Sequence, residues 1–285
     1  MSRSRRTLGR LLAPTFPGFP RGREASRRPE SRNTAIVFLV PNPIEVQAVQ
    51  GPPRGFRTRV ISSRQLTPTT RAIELEKTKD FAFRPTQFTF LQLRTEDGMD
   101  ARPMSLATSP TRPHLEYAVR VSDSPYKRAF AALQPNDEVR VFGPIGDFVL
   151  HETRPAVLVA GGIGITPLKG MAEYAADKTL QIPIQLVYSN RSEDEIVYRA
   201  ELDVLEKQNA RFHVLHTLTR TTDTGWQGRT GRVDQDLLQA AARGLADPIY
   251  YVSGTPNMVV GTLRLLDALG VPEADVEVEA FRGYA

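Results

Sequence analysis

The chain has 285 residues, of which 40% are hydrophobic, a formal net charge of +5 and no cysteine. That length is enough for two domains with cores of their own. The missing thiols exclude disulfides, thiolate nucleophiles and cysteine-ligated zinc or iron–sulfur centres. The histidines are too few and too scattered to predict a metal site; they are His114, His151, His213 and His216.

Residues 1–54 differ in composition from the rest. They hold ten arginines, no lysine, three glutamates and eight of the 22 prolines, which gives this part a net charge of +7. The remainder has 27 basic and 29 acidic side chains, so its charge does not predict a nucleic-acid groove. The composition of 1–54 predicts a disordered Arg/Pro-rich tail, with 34–54 held loosely on the body. A tether for an anionic partner such as DNA, or a targeting arm, is the alternative.

No apolar run reaches the roughly 18 residues of a membrane span. The run AIVFLV at 35–40 stops at Pro41, and no apolar signal core follows the arginines near the start. We therefore expect a cytoplasmic protein without membrane or nucleic-acid partners, and a monomer.

From Phe56 onward, short runs rich in β-branched and aromatic residues alternate with turns such as EDG and QPND. The runs read FRTRVISS, RAIELE, QFTFLQLR, LEYAVRV and DEVRVFG. Their regular spacing predicts an antiparallel β-barrel over 55–152. One helix is predicted at 124–133, with Ser124 as its N-cap and Pro125 in its first position.

The pattern changes at Pro155, where strands begin to alternate with helices. The predicted strands are AVLVA, IPIQLVYS, RFHVLHTL, PIYYVSG and VEVEAF. Helices are predicted from about Thr166 to Ala176, then over IVYRAELDVLEKQ, VDQDLLQAAARGL and NMVVGTLRLLDALG, the last ending at Gly270. This alternation indicates a doubly wound parallel sheet over 153–285.

Two of the predicted strand-to-helix turns are typical of nucleotide sites. In AGGIGITP (160–167) glycines follow a strand and Thr166 is expected to cap the next helix; SGTPNM (253–258) repeats the arrangement. Glycine lets the backbone approach a pyrophosphate, and a helix N-terminus offers free N–H groups. Tight turns also use glycine for steric reasons alone. Both turns follow strand ends, where open α/β sheets bind ligands, and this favours the nucleotide interpretation.

A third motif, RPMSLATSP (102–110), ends the β-rich half. The guanidinium of Arg102 suits a phosphate, because it offers two donors in a fixed fork. From this motif alone, a surface arginine in a hairpin is an equal alternative.

From about residue 56 to 285 the chain resembles the ferredoxin–NADP reductase superfamily, in which a flavin-binding barrel precedes a nicotinamide-binding α/β domain. The landmarks occur in the family's order: PTQF, RPMSLATSP, LEYAVRV, SPYKRAF, GPIGDF, AGGIGITP, VYSNRSEDEI, YYVSGTPNM and EAFRGY. The resemblance implies an NAD(P)H-dependent flavoprotein that passes hydride from nicotinamide to FAD. It also implies that the electrons then go to a ferredoxin, a flavodoxin or an oxygenase component. A non-catalytic regulatory subunit of the same fold is the alternative.

The resemblance also implies residue roles. The catalytic group would be Ser105, beside flavin N5, with Ser253 and Glu279. FAD would contact Arg102, Pro103, Met104, Tyr117, Val119, Arg120, Ser124 and Phe281. The nicotinamide cofactor would contact Gly162, Gly164, Ile165, Thr166, Pro167, Gly254, Thr255 and Met258.

Three positions depart from the family's pattern. Met104 replaces an aromatic residue, although a thioether can still cover a flat ring. Ser253 replaces a common cysteine, which we expect to slow the reaction rather than abolish it. Thr86 replaces a glycine, which we interpret as a harmless change in a turn.

The choice between NADPH and NADH depends on what meets the adenosine 2′ position. Arg191 and Arg220 follow two neighbouring predicted strands, and arginines suit a 2′-phosphate. The sequence therefore favours NADP(H). In the alternative, both arginines only balance acids such as Glu193 or Asp194.

Overall fold

A computed structural model describes residues 55–220 and 225–281 of the protein. The predicted tail at 1–54 and the end of the last motif, 282–285, lie outside the described residues. An antiparallel sheet is followed by a parallel sheet with helices, which confirms the predicted fold class. Among the described residues, no helix is long and apolar enough to cross a membrane.

The first sheet is a six-stranded antiparallel half-barrel with the strand order β4–β3–β6–β1–β2–β5. Its strands are β1 (Gly55–Thr67), β2 (Thr70–Glu76), β3 (Phe88–Thr95), β4 (Gly98–Ser105), β5 (His114–Arg120) and β6 (Glu138–Ile145). Alternate side chains of β3 and β6 fill the interior, as Leu91 and Leu93 do on β3. Just past β4, the Ala107 N–H donates to the Glu116 carbonyl at 2.8 Å, which joins the two edge strands at one point.

One helix, α1 (Pro125–Ala132), covers this barrel. Ser124 is its N-cap and Pro125 its first residue, as predicted, but the Ser124 hydroxyl makes no capping bond. Tyr126 and Phe130 are buried beneath the helix, and the Tyr126 hydroxyl donates to the Leu91 carbonyl at 2.8 Å. The Ser124 hydroxyl at the N-terminus of α1 is therefore not engaged in capping the helix.

The second sheet is parallel, in the order β10–β9–β8–β7–β11–β12. Its strands are β7 (Ala156–Gly161), β8 (Ile184–Asn190), β9 (Phe212–Leu218), β10 (Arg229–Thr230), β11 (Ile249–Gly254) and β12 (Val276–Ala280). The helices are α2 (Ile165–Asp177), α3 (Arg199–Gln208), α4 (Gln235–Ala242) and α5 (Pro256–Ala268). Helices on both faces explain why the central strand β7 is apolar almost throughout.

Some local predictions need correction. The edge strand β10 was not predicted, because a two-residue strand leaves no periodicity. Helix α3 begins at Arg199 rather than Ile196, because Tyr198 has a left-handed φ of 62°. Thr86 is not a harmless change, since it is buried with φ at 76°, a region that strains a β-branched residue. The predicted domain boundary at 152/153 falls between β6 and β7.

Candidate functional site

The glycine-rich turn joins β7 to α2. Gly162 has a left-handed φ of 53°, and a Cβ placed there would meet no atom within 4 Å. A Cβ on Gly164, in contrast, would lie 2.4 Å from the Ser253 carbonyl oxygen. Gly164 is therefore needed for packing against β11, whereas Gly162 leaves open space above the turn. That space allows a ligand to approach the backbone closely.

The SGTPNM turn lies beside it, at the end of β11. A Cβ on Gly254 would lie 3.4 Å from the Gly161 Cα and 3.1 Å from the sulfur of Met258. Thr255 is the N-cap of α5, and its side chain makes no capping bond. The chain runs from β7 to β8 on one side and later returns to β11 on the other. The two turns therefore line the crevice at the switch point of the sheet, where open parallel sheets bind ligands.

Three predicted catalytic residues meet at this crevice. The Ser105 hydroxyl, at the end of β4, donates to Glu279 Oε1 at 3.0 Å. Glu279 pairs in register with Ser253 across β12 and β11. Among the described residues, neither the buried Ser253 hydroxyl nor Glu279 Oε2 has a hydrogen-bond partner. Burial raises the pKa of Glu279 to about 8, and the hydrogen bond from Ser105 opposes this shift. At neutral pH this carboxyl is therefore largely protonated.

These features fit a flavin and a nicotinamide cofactor. Among the described residues, the buried Ser253 hydroxyl and Glu279 Oε2 have no hydrogen-bond partner, and the open turn at Gly162 lies beside them. The Phe281 N–H donates to the Gly254 carbonyl at 3.0 Å, which holds the chain after β12 against the SGTPNM turn. When bound, FAD supplies a centre that accepts a hydride and releases electrons one at a time. The protein supplies positioning and a protonated carboxyl at the same place.

The barrel's edge strands carry two of the predicted phosphate-binding arginines. Arg102, on β4, is largely exposed and forms an ion pair with Asp100 at 2.8 Å. Arg120, at the end of β5, forms an ion pair with Glu195 at 2.8 Å. Burial, and then the charge of Arg120, lower the pKa of Lys127 on α1. Arg120 and Lys127 are therefore close enough for their positive charges to interact, near Ser124 at the start of α1.

Other predicted flavin contacts are buried in the barrel instead. Met104 is 6% exposed and packs in the core. Tyr117 and Val119 are at most 1% exposed, and the Tyr117 hydroxyl is 2.8 Å from that of Thr89. Met104 pairs with Thr89 on the inward face of the sheet, which is why its side chain turns inward. Pro103, one residue earlier, is exposed.

The predictions for the start of α2 also need correction. The helix begins at Ile165 and its N-cap is Gly164, so Thr166 does not cap it. The Thr166 hydroxyl donates instead to the Ile163 carbonyl at 3.2 Å. Ile165, Thr166 and Pro167 are all buried, so their side chains offer a bound cofactor little accessible surface.

Arg191 and Arg220 lie together at the tips of β8 and β9. The Arg220 N–H donates to the Arg191 carbonyl at 2.8 Å, and both residues are exposed. Within the described residues neither guanidinium forms an ion pair. Glu193 and Asp194, the acids considered as counter-charges, interact with other side chains.

Sequence reasoning missed a buried ionic cluster between the barrel and α2. Lys169 and Glu116 are each 2% exposed and lie 2.9 Å apart. The available signal was a charged residue within each of two apolar patterns, LEYAV and TPLKGMA. Among the described residues, no group of three or more His, Asp or Glu side chains could hold a metal ion.

The fold and crevice define a two-domain oxidoreductase that uses a flavin and a nicotinamide cofactor. Residues 158–263 match the family model described as an oxidoreductase NAD-binding domain. The chain is 30% identical over 238 residues to ferredoxin–NADP reductase B of Sorangium cellulosum (strain So ce56), covering 79% of this chain and 97% of that protein. It therefore belongs to the ferredoxin–NADP reductase family and is an NAD(P)H-dependent flavin oxidoreductase.

Two further comparisons agree. The ferredoxin–NAD(P)(+) reductase component of the naphthalene 1,2-dioxygenase system of Pseudomonas putida is 26% identical over 239 residues, covering 82% of this chain and 71% of that protein. The fold also matches a ferredoxin NADP+ reductase from Neisseria gonorrhoeae with bound FAD and NADP, with a TM-score of 0.69 and 20% identity. That match covers 79% of this chain and 98% of the other.

Proposed function

We propose that this enzyme is an NADPH-oxidising reductase that serves a separate, small redox protein. The observation that carries the proposal is the convergence of Ser105, Glu279 and Ser253 beside the open turn at Gly162. Residues 55–152 would bind FAD, and Arg102 and Arg120 would face its phosphates. Residues 153–285 would bind the nicotinamide cofactor. The protonated carboxyl of Glu279, oriented by its hydrogen bond with Ser105, would offer a hydrogen-bond donor to the bound cofactor.

The direct test is anaerobic reduction of the purified yellow protein. Stoichiometric NADPH is expected to bleach the flavin absorbance within seconds. A colourless protein that cannot be reconstituted with FAD, or a flavin that NADPH leaves oxidised, would contradict the proposal. Either result would instead favour the alternative of a non-catalytic regulatory subunit.

The preference for NADPH rests on Arg191 and Arg220. A charge-assisted hydrogen bond to phosphate contributes about 1.5–3 kcal/mol, or roughly a 10- to 100-fold difference in KM. We expect Arg220→Ala to raise the KM for NADPH by that factor and to leave the KM for NADH unchanged. Arg211→Ala is a matched control, because Arg211 precedes the opposite end of β9 and contacts Gln181. Equal effects of Arg220→Ala on both cofactors would remove the basis for the preference.

The acceptor is proposed to be a ferredoxin, a flavodoxin or an oxygenase component. With no cysteine, the chain cannot carry a cysteine-ligated iron–sulfur cluster of its own. The relatives include a ferredoxin–NADP reductase and a dioxygenase reductase component. Stopped-flow reoxidation by purified examples of each class would identify the class, since the physiological acceptor is expected to react fastest. We further propose a cytoplasmic monomer, which sedimentation and cell fractionation test.

A further inference from the structure

Helix α2 joins the nicotinamide side of the molecule to its flavin side. It begins next to the glycine-rich turn, and its sixth residue, Gly170, packs against the chain just past β4. A Cβ on Gly170 would lie 3.2 Å from the carbonyl oxygens of both Leu106 and Thr108. The helix and this segment are therefore in backbone contact one residue past Ser105.

Lys169 binds the same segment with its side chain. Its Nζ donates to the Ala107 carbonyl at 2.9 Å, to Glu116 Oε2 at 2.9 Å and to Glu173 Oε1 at 2.6 Å. All three ammonium protons are used. Burial lowers the pKa of Lys169, but the attraction of Glu116 and Glu173 outweighs burial and raises it. The ammonium is therefore a permanent positive charge, held by acceptors from both halves of the molecule.

Glu173 and Glu116, the two carboxylates that bind Lys169, each make a further hydrogen bond. Glu173 Oε2 accepts the Ser109 N–H at 3.0 Å, which binds α2 to the barrel segment a second time. Glu116 Oε1 accepts from Arg64 of β1 at 2.6 Å, and Arg64 also binds Glu201 of α3 at 2.6 Å. With Lys169, these groups are two cations and three carboxylates that link β1, β5, α2 and α3. Displacing Lys169 or Glu116, which are each 2% exposed, would leave a buried charge without its partner.

We propose that Lys169 and Gly170 are positioning residues that set the separation between Ser105 and the turn at Gly162. Lys169 holds the two halves together, and the missing side chain at Gly170 lets their backbones touch. The inference rests on the proposed function, in which a hydride crosses between cofactors bound on either side. Such a transfer depends steeply on alignment, and a misplacement of about 1 Å costs on the order of 100-fold in rate.

Gly170→Ala tests the spacing without changing a charge. The added methyl group acts as a wedge of a few tenths of an ångström against two carbonyls. Alanine also favours a helix over glycine, so the variant is expected to fold. We expect the rate of flavin reduction at saturating NADPH to fall about 10-fold. KM should change less than twofold, and the primary isotope effect with deuterated NADPH should rise. The matched control is Gly261→Ala in α5, whose Cβ would meet nothing within 4 Å.

Lys169→Met tests the ionic contact. A drop in the flavin reduction rate of up to about 100-fold is expected. Flavin content should be retained. The matched control is Lys77→Met, because Lys77 Nζ donates to the Pro110 carbonyl at 2.6 Å without reaching α2. If Lys169→Met does not fold, Gly170→Ala alone decides the matter.

Amide hydrogen exchange gives a readout that does not depend on turnover. Ala107 and Ser109 should exchange faster in Gly170→Ala and Lys169→Met than in either control. Wild-type exchange together with a wild-type reduction rate in Gly170→Ala would overturn the inference. A wild-type enzyme that NADPH cannot reduce would instead refute the proposed function, and altered exchange in the variants would still support the spacing contact.

Discussion

The protonated carboxyl of Glu279 predicts how the stability of the protein depends on pH. Its pKa is about 8 in the folded protein and near the ordinary 4.5 once unfolded. Between these values the unfolded chain releases a proton that the folded protein keeps. Folding stability attributable to Glu279 is therefore highest below pH 4.5 and is lost as pH rises towards 8.

The size of the effect follows from the same two pKa values. A fully effective shift gives a slope of about 1.4 kcal/mol per pH unit. The side chain is partly open to solvent, and screening by water reduces the effect, so we expect about 2 kcal/mol in total from pH 5 to pH 8. Glu279→Gln keeps the shape and the contact with Ser105 but cannot ionise. The variant should therefore gain stability relative to wild type as pH rises.

Urea unfolding of both proteins at pH 5, 6, 7 and 8 measures this difference directly. The matched control is Glu138→Gln, because Glu138 forms an exposed ion pair with Arg57 at 2.7 Å. The control should follow the wild-type pH profile. A constant difference between Glu279→Gln and wild type across this range would refute the claim that burial keeps the carboxyl protonated.

Four further predictions concern other residues. Gly164→Ala should destabilise the fold by about 2 kcal/mol through overpacking, as measured by urea unfolding. Gly162→Ala should lower the free energy of unfolding by about 1 kcal/mol, because alanine is strained at the left-handed φ of this position. It should also raise the Kd for NADPH. The pKa of His216, lowered to about 4 mainly by burial and then by the charge of a nearby arginine, predicts a loss of stability as pH falls from 6.5 to 4. His216→Phe should abolish that loss, and an unchanged acid limb in the unfolding profile would contradict it. Arg102→Ala should lower the flavin content of the purified protein, whereas Asp100→Asn, which releases the same guanidinium, should not.

Much of the fold could be predicted because its signals are short-ranged. The alternation in QFTFLQLR, the apolar run AVLVA and the Ser–Pro start of α1 each record a local preference of the backbone. The start of α3 was misplaced because nothing local indicates the left-handed φ of Tyr198. The strain at Thr86 was misjudged, although the glycine that the family has at this position is typical of a left-handed φ such as the 76° found here.

The sequence by itself determined most of the strands and helices in their order, the two glycine turns and the absence of any cysteine-bound cluster. These depend on the identity and spacing of neighbouring residues. The tertiary structure decided which distant residues meet: Ser105 and Glu279, 174 positions apart, and Lys169 and Glu116, 53 apart. It also decided that Met104 faces the core. Burial and pKa are properties of a residue's surroundings in space, and only the packed sheets create those surroundings.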